Sequence, residues 1–226
     1  MRFFHGQVSE SLRLGLLLAI VGGFLEAYTF LSRGGVFANC ETGNMVLLAL
    51  YLAQGDLSRA FTYFPPILAF FLGVLLTNKI RRLAAPHPKL HWRQITVLFE
   101  AACLAVVAFV PYGRLDVVVT TLVSFACSIQ VQSFRKVHGS AYATTMCTGN
   151  LRSAADNLYA YTALHDRAAG TRCRNYLTVV LVFMLGAVIG GLTTQVFAEK
   201  SVLFCCIPLL LAFLMMFLHP ETTGPA

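Results

Sequence analysis

Residues 14–31 read LGLLLAIVGGFLEAYTFL, an apolar run that contains one carboxylate, and this run decides the class of the protein. Its length is close to the ~20 residues that a helix needs to cross the hydrocarbon core of a bilayer. It is longer than the apolar region of a typical cleaved signal peptide, and it has no A-x-A cleavage site. We therefore predict that it forms a first transmembrane helix.

The composition of the whole chain agrees with a membrane protein. Of its 226 residues, 57% are hydrophobic and 12% are charged, whereas a soluble domain carries roughly 25% charged residues. The 17 Lys and Arg residues are scattered between apolar segments, and a nucleic-acid-binding protein would gather them on one face. These observations exclude a water-soluble globular domain and a nucleic-acid partner, and they make the lipid bilayer the main partner.

Six segments are long and apolar enough to cross a membrane as helices. They lie at about residues 12–32, 63–80, 93–111, 115–134, 174–197 and 201–218. Two further segments, at about 42–54 and 148–162, have helical character but reach only ~20 Å. The stretches before them, 33–41 and 139–147, combine Gly, β-branched and polar residues, which predicts an extended backbone. We predict an all-α polytopic membrane protein with six transmembrane helices and two short re-entrant or half helices.

The basic residues favour six crossings over eight. If only the six long segments cross and the N-terminus lies inside, thirteen of the 17 Lys and Arg residues face the cytoplasm. The four that remain outside are Arg33, Arg59, Arg114 and Lys200. This split follows the enrichment of Lys and Arg in cytoplasmic loops, and eight crossings would violate it. We therefore predict a multi-pass membrane protein with both termini in the cytoplasm, and eight crossings remain the alternative.

An internal repeat divides the chain into two halves. The tripeptide TGN at residues 42–44 recurs at 148–150, an offset of 106 that also aligns Glu26 with Gln132. The pattern FxLG at 70–73 and 183–186, and VLF at 97–99 and 202–204, follow in the same order. A single membrane domain over 1–226 is thus expected to comprise repeat 1 at about 1–113 and repeat 2 at about 114–226. With three crossings in each half, the second repeat is inverted, as in many secondary transporters.

Two blocks of the sequence resemble the bacterial YoaK-like membrane proteins, a family of unknown function. The first block contains GGFLEAYTFL at 22–31, GVFAN at 35–39 and TGN at 42–44, and the second contains QVQSFRK at 130–136 and YATTMCTGNLRS at 142–153. The resemblance covers nearly the whole chain and implies a bacterial inner-membrane protein of about six helices without an assigned substrate. Here Glu26 stands where the family commonly has Asp, and Cys40-Glu41 where it has small residues and Gln.

The two TGN segments form the candidate site. Each Thr stands where a short helix is predicted to begin, so its hydroxyl can cap free backbone N–H groups, and the following Gly leaves the backbone approachable. Two helix N-termini that meet near the midplane present positive dipole ends to an anion or a polar group. The alternative is that each TGN is only a capped turn that satisfies the backbone in lipid. The candidate solute-binding residues are Asn39, Thr42, Gly43, Asn44, Gln132, Thr145, Thr148, Gly149 and Asn150.

Other polar residues in the predicted helices receive separate roles. Glu26 is a candidate proton-coupling acid or ion ligand, because a carboxylate inside the membrane is costly. Its alternatives are a hydrogen bond to Gln132 and a position near the outer interface. Gln132 is preferred to Gln130 as a path residue because it repeats Glu26. Arg152 and Asp156 stand at i, i+4 and are predicted to form an ion pair.

The remaining residues offer little enzymatic chemistry. No Walker A, HExxH, GxSxG or EF-hand pattern is present, the seven cysteines have no zinc spacing, and all six histidines fall in or beside predicted cytoplasmic segments. Cys40 and Cys147 precede the TGN segments and can approach each other. We expect no metal, no cofactor and no enzymatic activity.

Two hypotheses for the function follow. The leading one is a secondary transporter or channel for a small polar or anionic solute, bound at the midplane between the TGN segments. The alternative is a non-transporting membrane scaffold or sensor in which TGN only locks helix packing. The sequence leaves open the solute, the coupling ion and whether the chain forms a homo-oligomer.

Overall fold

A computed structural model describes residues 11–83, 91–137, 140–141, 145 and 147–218 of the chain. Within these ranges the protein is helical apart from one small strand pair. The helices are α1 (Leu12–Ser32), α2 (Glu41–Ala53), α3 (Leu57–Leu83), α4 (Trp92–Val107), α5 (Asp116–Ser133), α6 (Cys147–Ala163), α7 (Arg167–Phe197) and α8 (Cys206–Leu218). Antiparallel strands β1 (Lys136–Val137) and β2 (Ser140–Ala141) precede α6, and a 3₁₀ segment, Ala198–Cys205, joins α7 to α8.

Several helices differ in extent from the predicted segments. α3 and α7 begin six or more residues earlier than expected. α7 can do so because the Asp166 side chain caps it by accepting a hydrogen bond from Ala168 N at 2.9 Å. α4 ends at Val107, before Pro111 and Gly113, and the last predicted crossing begins as 3₁₀ backbone. The predicted inner loop at 84–90, both termini, and residues 139, 142–144 and 146 of the second extended stretch lie outside the described residues.

Four helical stretches of the described chain are long and apolar enough to cross a membrane. They are Leu12–Ser32, Leu57–Arg82, Asp116–Ser133 and Arg167–Leu218, and the last contains the 3₁₀ segment. Large apolar side chains such as Phe71, Leu181 and Val196 are exposed on α3 and α7. A surface of this kind is stable only against lipid. The chain is therefore a helical membrane protein.

The helices pack in a small number of pairs. α1 lies along α7 and α5 lies along α3, while α2 packs on α3 and α6 packs on α7. α4 contacts α5 and α8, and α8 also contacts α1. The main apolar core is made by the buried faces of α1, α4, α5 and α8. As a result α1 and α5 are the more buried spans, and α3 and α7 flank them.

Glycines allow the closest of these crossings. A Cβ at Gly186 or Gly190 of α7 would overlap the carbonyl oxygens of Ile20 or Phe24 in α1, and one at Gly23 would overlap that of Phe183. Small residues of this kind let transmembrane helices approach backbone to backbone. The α1–α7 contact therefore depends on residues without side chains.

Candidate solute site

The N-terminal ends of the two short helices lie within electrostatic range of each other. The thiol of Cys147, the first residue of α6, is close enough to the Cys40 thiol and the Glu26 carboxyl to interact with both electrostatically. Cys40 directly precedes α2. Both cysteines are free thiols. The fold thus brings together the residues that precede the two TGN segments.

Glu26 holds the irregular backbone that leads into α2. This stretch was predicted to be extended, but residues 33–35 form a turn with positive φ at Gly34 and Gly35, and residues 38–39 form a bend. Its Oε2 accepts a hydrogen bond from Ala38 N and its Oε1 accepts one from Asn39 N, both at 3.1 Å. On the other side, Ser124 Oγ of α5 donates to Ala38 O at 2.9 Å. The carboxyl is buried, and two backbone N–H donors offset part of the cost of its burial. Residues 38–39 are therefore fixed between α1 and α5, and the bond between Glu26 and Gln132 that the sequence allowed does not form.

Asn44 locks the same stretch from the α2 side. Its Oδ1 accepts from Phe37 N at 2.9 Å, and its Nδ2 donates to Phe37 O at 3.0 Å and to Glu41 Oε2 at 2.9 Å. The amide is fully buried. All of its polar atoms are engaged by the protein, so Asn44 shapes the turn.

The two Thr residues do not cap the helices, contrary to the prediction. α2 begins at Glu41, and the side chain of its cap residue, Cys40, makes no capping hydrogen bond. α6 begins at Cys147. Thr42 and Thr148 are consequently the second residues of their helices, and a capping side chain must precede the helix. Both threonine side chains are exposed.

The two glycines of the TGN segments have different surroundings. A Cβ at Gly43 would lie 2.7 Å from the ring of Phe37, whereas nothing lies within 4 Å of one at Gly149. The Phe37 ring in turn stacks on Phe30 at 4.8 Å between centroids. The Gly43 backbone is therefore covered, and only the Gly149 backbone is approachable as predicted.

Three polar atoms near the helix starts are buried without a hydrogen-bond partner in the described chain. They are Asn39 Oδ1, Glu41 Oε1 and Thr145 Oγ1. Asn39 is 4% exposed and Thr145 is 6% exposed. Asn39 Nδ2, in contrast, lies 3.4 Å from Gly22 O and 3.9 Å from Cys127 Sγ. Because unpaired buried acceptors and donors are costly, these atoms are available to a polar ligand.

Asn150 occupies the position in α6 that Asn44 occupies in α2. It is buried, with 3% exposure, whereas Gly149 beside it is exposed. The Asn of each TGN thus faces the protein interior and the Thr faces outward. This alternation follows from helical geometry. The tripeptide sequence alone did not predict which of its residues faces inward.

The two glutamines of α5 lie in different surroundings. Gln132 is half-buried and donates from Nε2 to Asn78 Oδ1 of α3 at 2.6 Å. Gln130 is buried, and neither of its amide atoms has a hydrogen-bond partner among the described residues. Residues at i, i+2 face different sides of a helix, and the inward side belongs to Gln130.

Glu100 of α4 is a second buried carboxyl. It is 0% exposed, and neither oxygen has a hydrogen-bond partner in the described chain. The thiols of Cys127 and Cys205 interact with it electrostatically. Cys127 also interacts with Glu26. Polar groups therefore extend from the α2 start into the α4–α5–α8 core.

The predicted pair of Arg152 and Asp156 lies on the surface. Arg152 Nε is 3.9 Å from Asp156 Oδ2, and the side chains are 85% and 73% exposed. Such an exposed pair contributes little to stability. Neither the carboxylate nor the guanidinium is buried in the protein.

Arg33 is an unexpected buried charge at the end of α1. Its Nη1 lies 2.9 Å from Asp116 Oδ1, and its Nη2 donates to Tyr28 Oη and Val110 O, both at 2.8 Å. The guanidinium also lies over the ring of Tyr112 at 4.5 Å. In the sequence Arg33 has the character of a loop charge only, because no local signal identifies partners 77–83 residues away.

Metal-binding residues are not clustered. In the described part of the chain, no three His, Cys, Asp or Glu side chains are placed to hold an ion together.

The comparisons with known proteins agree with the membrane fold. The chain is 29% identical over 149 residues to UPF0700 transmembrane protein YoaK of Bacillus subtilis (strain 168), and the aligned region covers 63% of this chain and 64% of that relative. No solved structure matches the chain. Residues 14–215 match the family model described as protein of unknown function (DUF1275). The chain therefore belongs to this YoaK-like membrane protein family.

Proposed function

We propose that this membrane protein is a secondary transporter or channel for a small polar or anionic solute, bound between the N-terminal ends of α2 and α6. One observation carries the proposal: within the described chain Asn39 Oδ1 and Thr145 Oγ1 are buried without hydrogen-bond partners, and they precede two helix starts that lie within electrostatic range of each other. Helix N-termini offer free N–H groups and positive dipole ends. The site therefore suits a solute that accepts hydrogen bonds and also carries a donor for Asn39 Oδ1.

The proposed architecture is six crossings and two half helices in two inverted repeats. Exchanging α1–α4 with α5–α8 turns the α1–α7 pair into α5–α3, and the α2–α3 pair into α6–α7. The same exchange turns α4–α5 into α8–α1 and leaves α4–α8 unchanged. A list of packing pairs that maps onto itself supports a pseudo-two-fold axis, which inverted repeats possess.

The aligned glycines support the same relation. Gly73 and Gly186 end the repeated FxLG pattern. A Cβ at Gly73 would overlap Ser128 of α5, and one at Gly186 would overlap Ile20 of α1. Each glycine thus marks a close approach of its long helix to the core helix of the other repeat.

In the proposed mechanism Glu26 couples protons to movement of the site. An ionised Glu26 accepts hydrogen bonds from Ala38 N and Asn39 N, and a protonated carboxyl accepts more weakly. Protonation would therefore loosen the stretch that carries Asn39 into the site. The orientation proposed is that of the positive-inside rule, with both termini in the cytoplasm of a bacterium.

Transport by proteoliposomes tests the site. Thr145→Val keeps the side-chain shape and removes only the unpartnered hydroxyl, so it should leave the fold intact. The solutes tested are chloride, nitrate, phosphate, acetate and glycine. Uptake of the solute that is carried should fall ~3–10-fold, which is the effect of losing one hydrogen bond. Thr120→Val is the control, because the Thr120 hydroxyl bonds only to Val117 O in its own helix.

Two outcomes would contradict the proposal. Flux that is equal in wild type and Thr145→Val rules out the site. No flux of any of these solutes favours the alternative, a scaffold or sensor. That alternative is supported by the complete engagement of Asn44 with Phe37 and Glu41, and it predicts that Glu26→Gln changes assembly without changing flux.

A further inference from the structure

A long groove runs along the surface between α6 and α7. It has a volume of about 1270 Å³, and both helices line it. Leu158 and Tyr161 form the α6 wall, and Leu177 and Leu181 lie on the α7 side. All four side chains are exposed, Leu181 by 64%. The groove therefore has an exposed apolar part to which both helices contribute.

The polarity of the groove is graded along α7. Arg167 is the first residue of that helix, Arg174 lies two turns further, and Leu177 and Leu181 follow. At ~1.5 Å per residue, Arg167 and Leu181 are ~21 Å apart along the helix. A cationic end thus continues into an apolar end over the length of a lipid headgroup and part of its acyl chain.

The two arginines of the groove are not neutralised by an acid. Asp166, the nearest carboxylate in the chain, is engaged elsewhere: its Oδ2 accepts from Arg172 Nη2 at 2.8 Å. That hydrogen bond holds the pKa of the Asp166 carboxyl below its usual range, so the Asp166–Arg172 pair stays ionised. In the described chain neither Arg167 nor Arg174 forms an ion pair. Their charges remain for an external anion.

A close contact between α6 and α7 lies near the cationic end of the groove. A Cβ at Gly170 would lie 2.7 Å from the Tyr161 ring, so only glycine lets this ring lie against α7. His165, also at the cationic end, has a left-handed backbone with φ of 57°, which turns the chain sharply between the two helices. The walls are therefore fixed by the backbone.

We propose that this groove binds one anionic phospholipid, with its phosphate at Arg167 and Arg174 and an acyl chain along Leu177 and Leu181. Charge complementarity selects the occupant, because basic residues at the end of a membrane helix attract anionic headgroups. A zwitterionic lipid would satisfy the apolar end but would bring its own cation to the arginines. In the six-crossing arrangement the lipid belongs to the cytoplasmic leaflet. The bound lipid would contact both α6, which begins at the candidate solute site, and α7, and would hold the two helices together.

Native mass spectrometry of the purified full chain tests this assignment. The probes are dioleoylphosphatidylglycerol and dioleoylphosphatidylcholine, titrated separately. We expect one phosphatidylglycerol to remain bound per chain under conditions that remove phosphatidylcholine. The Arg167→Gln, Arg174→Gln double variant should bind phosphatidylglycerol about 30-fold more weakly, because two phosphate contacts are lost. Both side chains are exposed, so the variant should fold.

The matched control removes the same charge elsewhere. Arg81 and Arg82 are exposed basic residues in the last turn of α3, and Arg81→Gln, Arg82→Gln should leave lipid binding unchanged. An equal loss in the control, or equal retention of the two lipids, would overturn the proposal in favour of non-specific attraction. Inorganic phosphate that binds as tightly as the lipid would also overturn it, since the apolar half of the groove would then contribute nothing.

Discussion

At the scale of single residues, polar side chains in this protein act chiefly on backbone. Glu26 and Asn44 both hold the stretch before α2 through its N–H and C=O groups. Arg33 likewise donates to the carbonyls of Val110 and Pro111. Irregular backbone at membrane depth requires such partners, because lipid supplies none. The charged residues Glu26 and Arg33 therefore act where the helices are interrupted.

We expect Arg33→Ala to be strongly destabilising. It removes the Arg33 donor from Asp116, Tyr28 and three backbone carbonyls, and removal of one partner from a buried pair typically costs about 3–5 kcal/mol. Thermal denaturation of the detergent-solubilised protein should show a large fall in the midpoint.

The control for this variant is Arg59→Ala. Arg59 forms an ion pair with Asp56 at 3.5 Å, with side chains 69% and 38% exposed, and an exposed pair contributes about 0–1 kcal/mol. Similar midpoints for the two variants would show that the Arg33 network is not a determinant of stability.

At the scale of the elements, helix contacts decide which glycines are essential. α7 contains Gly186, Gly190 and Gly191 within six residues, and the first two face the α1 backbone. A Cβ at Gly191 would meet only a methyl group of Leu31 at 3.7 Å. Neighbouring glycines of one helix therefore have opposite requirements.

We expect Gly186→Ala and Gly191→Ala to change stability in opposite directions. Gly186→Ala forces α1 and α7 apart and should cost about 1–3 kcal/mol. Gly191→Ala adds a side chain in ordinary contact and should gain up to about 1 kcal/mol from helix propensity. Unfolding midpoints of the two variants beside wild type measure the difference, and an equal effect of both would contradict the α1–α7 crossing.

At the scale of the whole molecule, the packing pairs and the charge distribution support the same proposed arrangement. The long flanking helices α3 and α7 each pack on a core helix from the other half. Because of this packing, each half alone would expose the face that the other half covers. We therefore do not expect either half to fold separately. A single domain is therefore the appropriate description of the proposed repeats.

Surface labelling of intact cells distinguishes six crossings from eight. With six, Arg114→Cys should react with a membrane-impermeant maleimide from outside, and Lys79→Cys should react only after the membrane is opened. The wild-type chain, whose Cys40 is itself exposed, provides the background. Eight crossings reverse the two results, since they place Arg114 inside and Lys79 outside.

The sequence by itself determined the membrane class, the approximate position of each helix and the family. These properties depend on the length and composition of local segments, which hydrophobicity reports directly. It also indicated that the stretches before residues 42 and 148 belong to the candidate site. It could not assign the individual atoms, it placed the two Thr residues at caps that they do not form, and it did not indicate that Gln130 is the buried glutamine of α5.

Only the tertiary structure decided which polar groups are engaged and which are free. The Asn44 amide is occupied by Phe37 and Glu41, whereas Asn39 Oδ1 and Thr145 Oγ1 are buried and have no hydrogen-bond partner among the residues that the structure describes. The burial of Arg33 and Glu100 likewise depends on distant helices. Hydrophobicity is a property of a segment, but hydrogen-bond satisfaction is a property of the packed neighbours, and no local pattern encodes those neighbours.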